Sequence, residues 1–100
     1  MSTTELSETP LNIVGNTQTS LSISGTGAQT AALTGGIYDV WSDQDCFIKA
    51  AATTASDVTT ATGYKVFAGA TITGLMIPDQ YVVGAITASA TGTLGLFRTA

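Results

Sequence analysis

The sequence predicts an all-β protein: a single-domain, jelly-roll-like β-sandwich of about seven or eight short antiparallel strands. From residue 21 onward, apolar and hydroxyl side chains alternate with a period near two, which is typical of half-buried strands. Glycine, proline and aspartate separate the alternating segments, and no segment carries the apolar stripe of an amphipathic helix. A chain of 100 residues fits one domain, which we place at residues 21–100.

Residues 1–20 are expected to form an extended N-terminal arm. This segment is polar, contains Pro10, and has one brief apolar patch at Leu11, Ile13 and Val14. Leu11 and Ile13 alternate with a polar residue as in a short strand, so the patch could pair with the edge of a partner subunit. The alternative is a terminus without fixed structure.

The strands are expected at residues 21–24, 28–33, 37–41, 46–50, 64–68, 70–77, 81–88 and 93–98. The first two are predicted to form a hairpin, and the third and fourth are predicted to pair because their connection is short. The blurred alternation around Gly74 indicates a β-bulge.

Residues 51–63 form an Ala- and Thr-rich stretch that predicts a surface loop, with an Ala-rich helix as the alternative. Loops of this length often face partners. We therefore take Thr53, Thr54 and Val58 as candidate partner contacts. The full predicted set adds the arm residues Leu11, Ile13 and Val14.

Charge is scarce, with three basic and seven acidic residues, a net charge of −4 and only 10% charged residues. Few cations predict no direct binding of nucleic acid. No stretch approaches the ~20 apolar residues that span a bilayer, so no membrane association is expected. The first residues lack the pattern of a secretory signal. Small, mostly uncharged side chains suit contact with another protein.

The sequence predicts no enzyme, metal or cofactor. Histidine is absent, which removes the commonest general base. The single cysteine, Cys46, excludes an internal disulfide and is expected to be a buried thiol, because Lys49 would face the other side of the same strand. Asp43 and Asp45 are interpreted as solvated residues of a turn; with Asp39 one strand-length away, a calcium site is the alternative. No glycine-rich phosphate cradle precedes a helix.

The aromatic rings are expected mostly in the core, with a shallow sugar-binding face as the alternative. They are Tyr38, Trp41, Phe47, Tyr64, Phe67, Tyr81 and Phe97.

Several segments resemble a family of small bacteriophage virion proteins. They are Gly36-Ile37-Tyr38-Asp39-Val40-Trp41, Asp45-Cys46-Phe47-Ile48-Lys49, Gly63-Tyr64-Lys65-Val66, Ala68-Gly69 and the final hairpin from Ala85-Ile86 through Thr91-Gly92-Thr93-Leu94. The resemblance covers about two thirds of the chain and leaves residues 1–35 outside. It implies a virion β-sandwich with no catalytic residue.

Small size, low charge and an arm then favour a capsid decoration or cement protein that binds the major capsid protein and other virion proteins. Such a protein would be made in the host cytoplasm, act as a homo-oligomer, and lie on the capsid surface of the virion. A receptor- or glycan-binding module of a head or tail fibre is the alternative hypothesis. A calcium-dependent or enzymatic role is the third.

Overall fold

The strands follow the alternating pattern closely in the computed structural model, which describes residues 18–100. There are eight: β1 (Gln18–Ile23), β2 (Ala28–Gln29), β3 (Gly36–Ser42), β4 (Cys46–Ala51), β5 (Tyr64–Val66), β6 (Thr71–Ile77), β7 (Val82–Ile86) and β8 (Gly92–Arg98). No helix occurs within residues 18–100, so none there could cross a bilayer.

Two four-stranded sheets pack face to face. The front sheet has the order β1-β8-β3-β6, the back sheet has the order β2-β7-β4-β5, and every pair is antiparallel. The all-β, two-sheet prediction is confirmed. The strand pairs are nested along the chain: β1 pairs with β8, β2 with β7, β3 with β6 and β4 with β5. This nested order agrees with the jelly roll that the sequence predicted.

The predicted hairpins between β1 and β2 and between β3 and β4 are wrong, because each pair is divided between the two sheets. Three residues extend about 10 Å, which equals the spacing of stacked sheets, so a short connection can cross between sheets as easily as it can close a hairpin. Asp43 fixes the crossing after β3. Its Oδ1 accepts a hydrogen bond from Thr93 N at 2.8 Å, and its own N donates to Thr93 O at 3.3 Å.

The core is aliphatic. Its largest fully buried side chains are Ile23, Val40, Val66, Ile77, Val83, Leu94 and Leu96. Tyr38, at 3% exposure, is the one aromatic side chain among the buried residues of the described chain, and its hydroxyl donates to Thr34 O at 2.6 Å. The prediction that most aromatic rings fill the core is therefore wrong, because branched aliphatic residues on β3, β7 and β8 already fill the space between the sheets.

Gly74 forms the predicted bulge in β6. Tyr38 pairs with Leu75 and Val40 with Ile72, so one residue of β3 lies opposite two residues of β6. Gly74 has a φ of 76°, which only glycine adopts without strain. A bulge bends the strand and makes the free edge of β6 a poorer template for uncontrolled pairing.

The predicted arm, residues 1–20, overlaps the described part of the chain at its end. Residues 18–20, which the sequence assigned to it, belong to β1, while Leu11, Ile13 and Val14 lie outside the described residues.

Candidate interaction surface

The loop that follows β4 packs on the outer face of the back sheet. Gln29 of β2 organises it, since its side-chain Oε1 accepts hydrogen bonds from Ala55 N at 2.9 Å and Ser56 N at 3.0 Å. Its Nε2 donates to Thr53 O at 3.3 Å. Because two loop amides share one side-chain oxygen, the loop is held at the sheet surface.

Two glycines leave room for this packing, Gly84 in β7 of the back sheet and Gly63 at the end of the loop itself. A Cβ at Gly84 would overlap the carbonyl group of Ala55, and a Cβ at Gly63 would overlap both Phe47 and Val58. Ala55 and Val58 are buried, at 0% and 2% exposure. The loop is therefore part of the domain's own packing.

This packing corrects the prediction for Val58. A side chain that is 2% exposed does not present a surface to a partner. Thr53 and Thr54 are exposed, so these two predicted residues remain available for contact. Lys49 Nζ and Asp57 Oδ1, 2.8 Å apart, form a surface ion pair beside them.

The exposed large apolar side chains lie elsewhere. They are Trp41 at 37%, Tyr64 at 67%, Phe67 at 59% and Met76 at 70% exposure. Tyr64 belongs to β5, and Phe67 is the first residue after that strand. Met76 belongs to β6, and Trp41 of β3 pairs with the first residue of β6. Since β5 and β6 are edge strands of the two sheets, we call this part of the molecule the open side.

Trp41 is fixed in place on the outer face of the front sheet. A Cβ at Gly95 would overlap the indole, so the ring lies on the backbone of β8. Alternation along β3 buries Tyr38 and Val40 and turns Trp41 outward. This alternation is a signal in the sequence that could have identified Trp41 as an exposed ring.

A groove runs between the two sheets at the open side, with a volume of about 340 Å³. Its walls are mostly apolar, with Ile48 and Tyr64 on the back sheet and Ile72 and Leu75 on the front sheet. The groove exists because β5 has only three residues and leaves the sandwich incompletely closed. Its apolar walls suit an apolar side chain.

Lys65 lies beside this groove, on the outer face of β5. Its Nζ is 4.8 Å from the centroid of Phe67 and 5.7 Å from that of Phe47. Asp45 Oδ2 is 3.9 Å from the same nitrogen. These cation–π and ionic contacts keep Phe67 in position at the surface.

Three acidic side chains within residues 18–100 accept hydrogen bonds from the backbone. Asp45 Oδ1 accepts a hydrogen bond from Ala68 N at 2.8 Å, and Asp79 Oδ1 accepts one from Gly35 N at 2.8 Å. With Asp43 bonded to Thr93, three carboxylates tie connecting segments together. Within residues 18–100, no three potential ligands come together in a metal-binding group.

Cys46 is buried as predicted, at 0% exposure. Burial raises the pKa of its thiol, and the hydrogen bond with Ser42 lowers it by a smaller amount. A neutral, enclosed thiol is a weak nucleophile. Lys49 faces the opposite side of β4, so it cannot activate Cys46.

Comparison of the chain with models of protein families, with curated proteins and with solved structures finds no match.

Proposed function

We propose that this protein is a structural protein of a bacteriophage virion, and that it decorates or cements the capsid by binding the lattice of the major capsid protein. One observation carries the proposal: four large apolar side chains remain exposed on the open side of a domain with 10% charged residues. Large exposed apolar side chains near the free edges of both sheets are the groups in residues 18–100 best suited to contact a partner. The resemblance to virion proteins supplies the class of partner.

The chemistry of the open side suits a folded protein surface. Met76 adapts to irregular contacts, while Trp41 packs on Gly95 and Phe67 lies beside Lys65, so both rings present apolar surface to a partner. A lattice presents many equivalent sites, so each contact needs only modest affinity. Thr53 and Thr54 of the loop remain proposed additional capsid contacts, and the arm residues Leu11, Ile13 and Val14 remain proposed contacts with a partner subunit.

Binding to purified capsids that lack the protein tests the proposal. Met76→Asp and Phe67→Asp place charge on the exposed open side and are expected to lower occupancy at least tenfold. Ser22→Asp is the matched control, because Ser22 is exposed on β1 at the opposite edge of the front sheet and should leave occupancy unchanged. Equal occupancy for all three variants would reject the open side as the capsid contact.

Deletion of the arm should stop at residue 17, because Gln18 is the first residue of β1. Loss of capsid binding by this truncated protein is the expected result. Unchanged occupancy would remove the arm from the proposed contact.

The second candidate is a receptor- or glycan-binding module, which the exposed rings of Trp41, Tyr64 and Phe67 favour. Aromatic faces stack on sugar rings through their apolar surface. A glycan array and cryo-electron microscopy separate the two functions. Binding to a defined glycan together with labelling confined to fibres would support this candidate, whereas uniform labelling of the capsid lattice supports the first.

A further inference from the structure

The back sheet has an unfilled strand position next to the groove. β4 runs from Cys46 to Ala51, but β5 pairs only with its first half, where Cys46, Phe47 and Ile48 meet Val66, Lys65 and Tyr64. Within residues 18–100, no strand pairs with residues 49–51 on this side. A strand of three or four residues could therefore continue the line of β5.

The walls around this position would receive alternate side chains of such a strand. Ala50 is exposed and lines the groove, with Ile72 and Leu75 opposite it on β6 and Val83 deeper in the sandwich. Side chains of a strand point alternately to the two faces of its sheet. An added strand would thus send every second side chain into the groove and the others to solvent.

The chain itself contains a segment with this pattern. Leu11, Asn12, Ile13 and Val14 form the one apolar patch before residue 18. Leu11 and Ile13 are separated by one residue, so in a strand they share a face and Asn12 lies on the other. We infer that residues 11–14 of one copy bind in the groove of a second copy, pairing with residues 49–51 and inserting Leu11 and Ile13.

The arm should bind the groove of a second copy, because residues 14–17 are too short to reach the groove of their own domain. β1 and β6 are the opposite edges of the front sheet, three strand spacings apart, which is about 14 Å. Residues 14–17 extend at most about 14 Å. A chain that left Gln18 and crossed the sheet fully extended would have no length left to turn around β6 into the groove.

This arrangement is a head-to-tail contact. Each copy offers an arm from its β1 edge and a groove between β5 and β6, so successive copies form a closed ring or a filament. A contact of four residues buries less surface area than the ~1,200 Å² that a stable interface buries. Assembly should therefore depend on protein concentration. The inference concerns the purified protein alone and does not depend on a capsid.

Cysteine cross-linking between separately purified full-length variants tests the inference. An equimolar mixture of Ile13→Cys and Ala50→Cys is oxidised, and disulfide-linked heterodimers are measured on a non-reducing gel. The matched control mixes Ile13→Cys with Ser22→Cys, and native Cys46 is buried in both mixtures. At least tenfold more heterodimer is expected with Ala50→Cys than with Ser22→Cys, and equal yields overturn the inference.

The double variant Ile13→Cys/Ala50→Cys identifies the occupant. If it forms only an internal disulfide while the mixed single variants form no heterodimer, the arm binds its own domain and a second copy is ruled out. Sedimentation gives an independent readout. Ile13→Asp should reduce the average mass to that of one chain, whereas Asn12→Asp should leave assembly intact, and monomers at all concentrations of the unmodified protein would contradict the inference.

Discussion

Replacing Val58 by alanine separates two roles for the loop after β4. If this loop packs on the back sheet, the substitution removes part of the interior, because Val58 is 2% exposed and lies against Gly63. If Val58 instead contacts a partner, the isolated protein should keep its stability. Circular dichroism and denaturant unfolding distinguish these outcomes without any partner.

The size of the effect follows from the buried groups. Val58→Ala removes two methyl-sized groups, each worth about 0.8 kcal/mol when buried. The site lies under a surface loop, which can relax, so only part of the cavity cost adds to this loss. We expect the free energy of unfolding to fall by about 2 kcal/mol, which is roughly a thirtyfold change in the unfolding equilibrium constant.

Urea unfolding followed by Trp41 fluorescence measures this change. With a slope of ~1–2 kcal/mol/M for a domain of this size, the midpoint should fall by about 1–2 M with the slope unchanged. Thr53→Ala, in the exposed part of the same loop, should stay within about 0.5 kcal/mol of the unmodified protein. A Val58→Ala midpoint as high as that of Thr53→Ala would refute the packing role.

Three further predictions concern single groups. Gly84→Ala should displace the loop after β4, because the new Cβ overlaps the carbonyl group of Ala55. Hydrogen exchange at the Ala55 amide should then accelerate at least tenfold, and an unchanged exchange rate would contradict this. Cys46 is buried, so Ellman's reagent can reach its thiol only when the domain unfolds. The reaction rate in the folded protein should be lower than the rate in urea by a factor on the order of a thousand or more, and fast labelling of the folded protein would disprove the burial. The side-chain hydrogen bond from Lys49 lowers the pKa of Asp57 below its usual value, so its small stabilising contribution is present above about pH 4 and is lost as the pH falls through the lowered pKa. Asp57→Asn should therefore lower the urea midpoint at pH 7, and its difference from the unmodified protein should shrink as the pH falls below about 4. A difference that stays the same at every pH would argue against the pair.

The strand pattern was largely readable from the sequence, whereas the partners of the strands were not. The alternation in residues 37–41 and 93–98 placed β3 and β8 correctly, and Gly74 marked its bulge. Alternation reports which face of a strand is buried, and it contains no information about which strand lies beside it. The crossing after β3 depends on the bond between Asp43 and Thr93, 50 residues apart in the chain.

The candidate site was harder to foresee for the same reason. Val58 looked free because its loop shows no periodic pattern, and its burial depends on Gln29 and on the absence of a side chain at Gly84. The exposure of Tyr64 and Phe67 depends on how short β5 is, which no local signal reveals. Trp41 was within reach, because Tyr38 and Val40 on the buried face of β3 imply an outward ring.

The position of β8 has a consequence for biosynthesis. β8, Gly92–Arg98, lies between β1 and β3, so the front sheet cannot close until these residues have left the ribosome. While they remain inside the ribosomal exit tunnel, the aliphatic faces of β1 and β3 have no strand to join them. The domain should therefore fold only once β8 has emerged from the exit tunnel, and an early stop codon before residue 92 should yield an insoluble, rapidly degraded polypeptide.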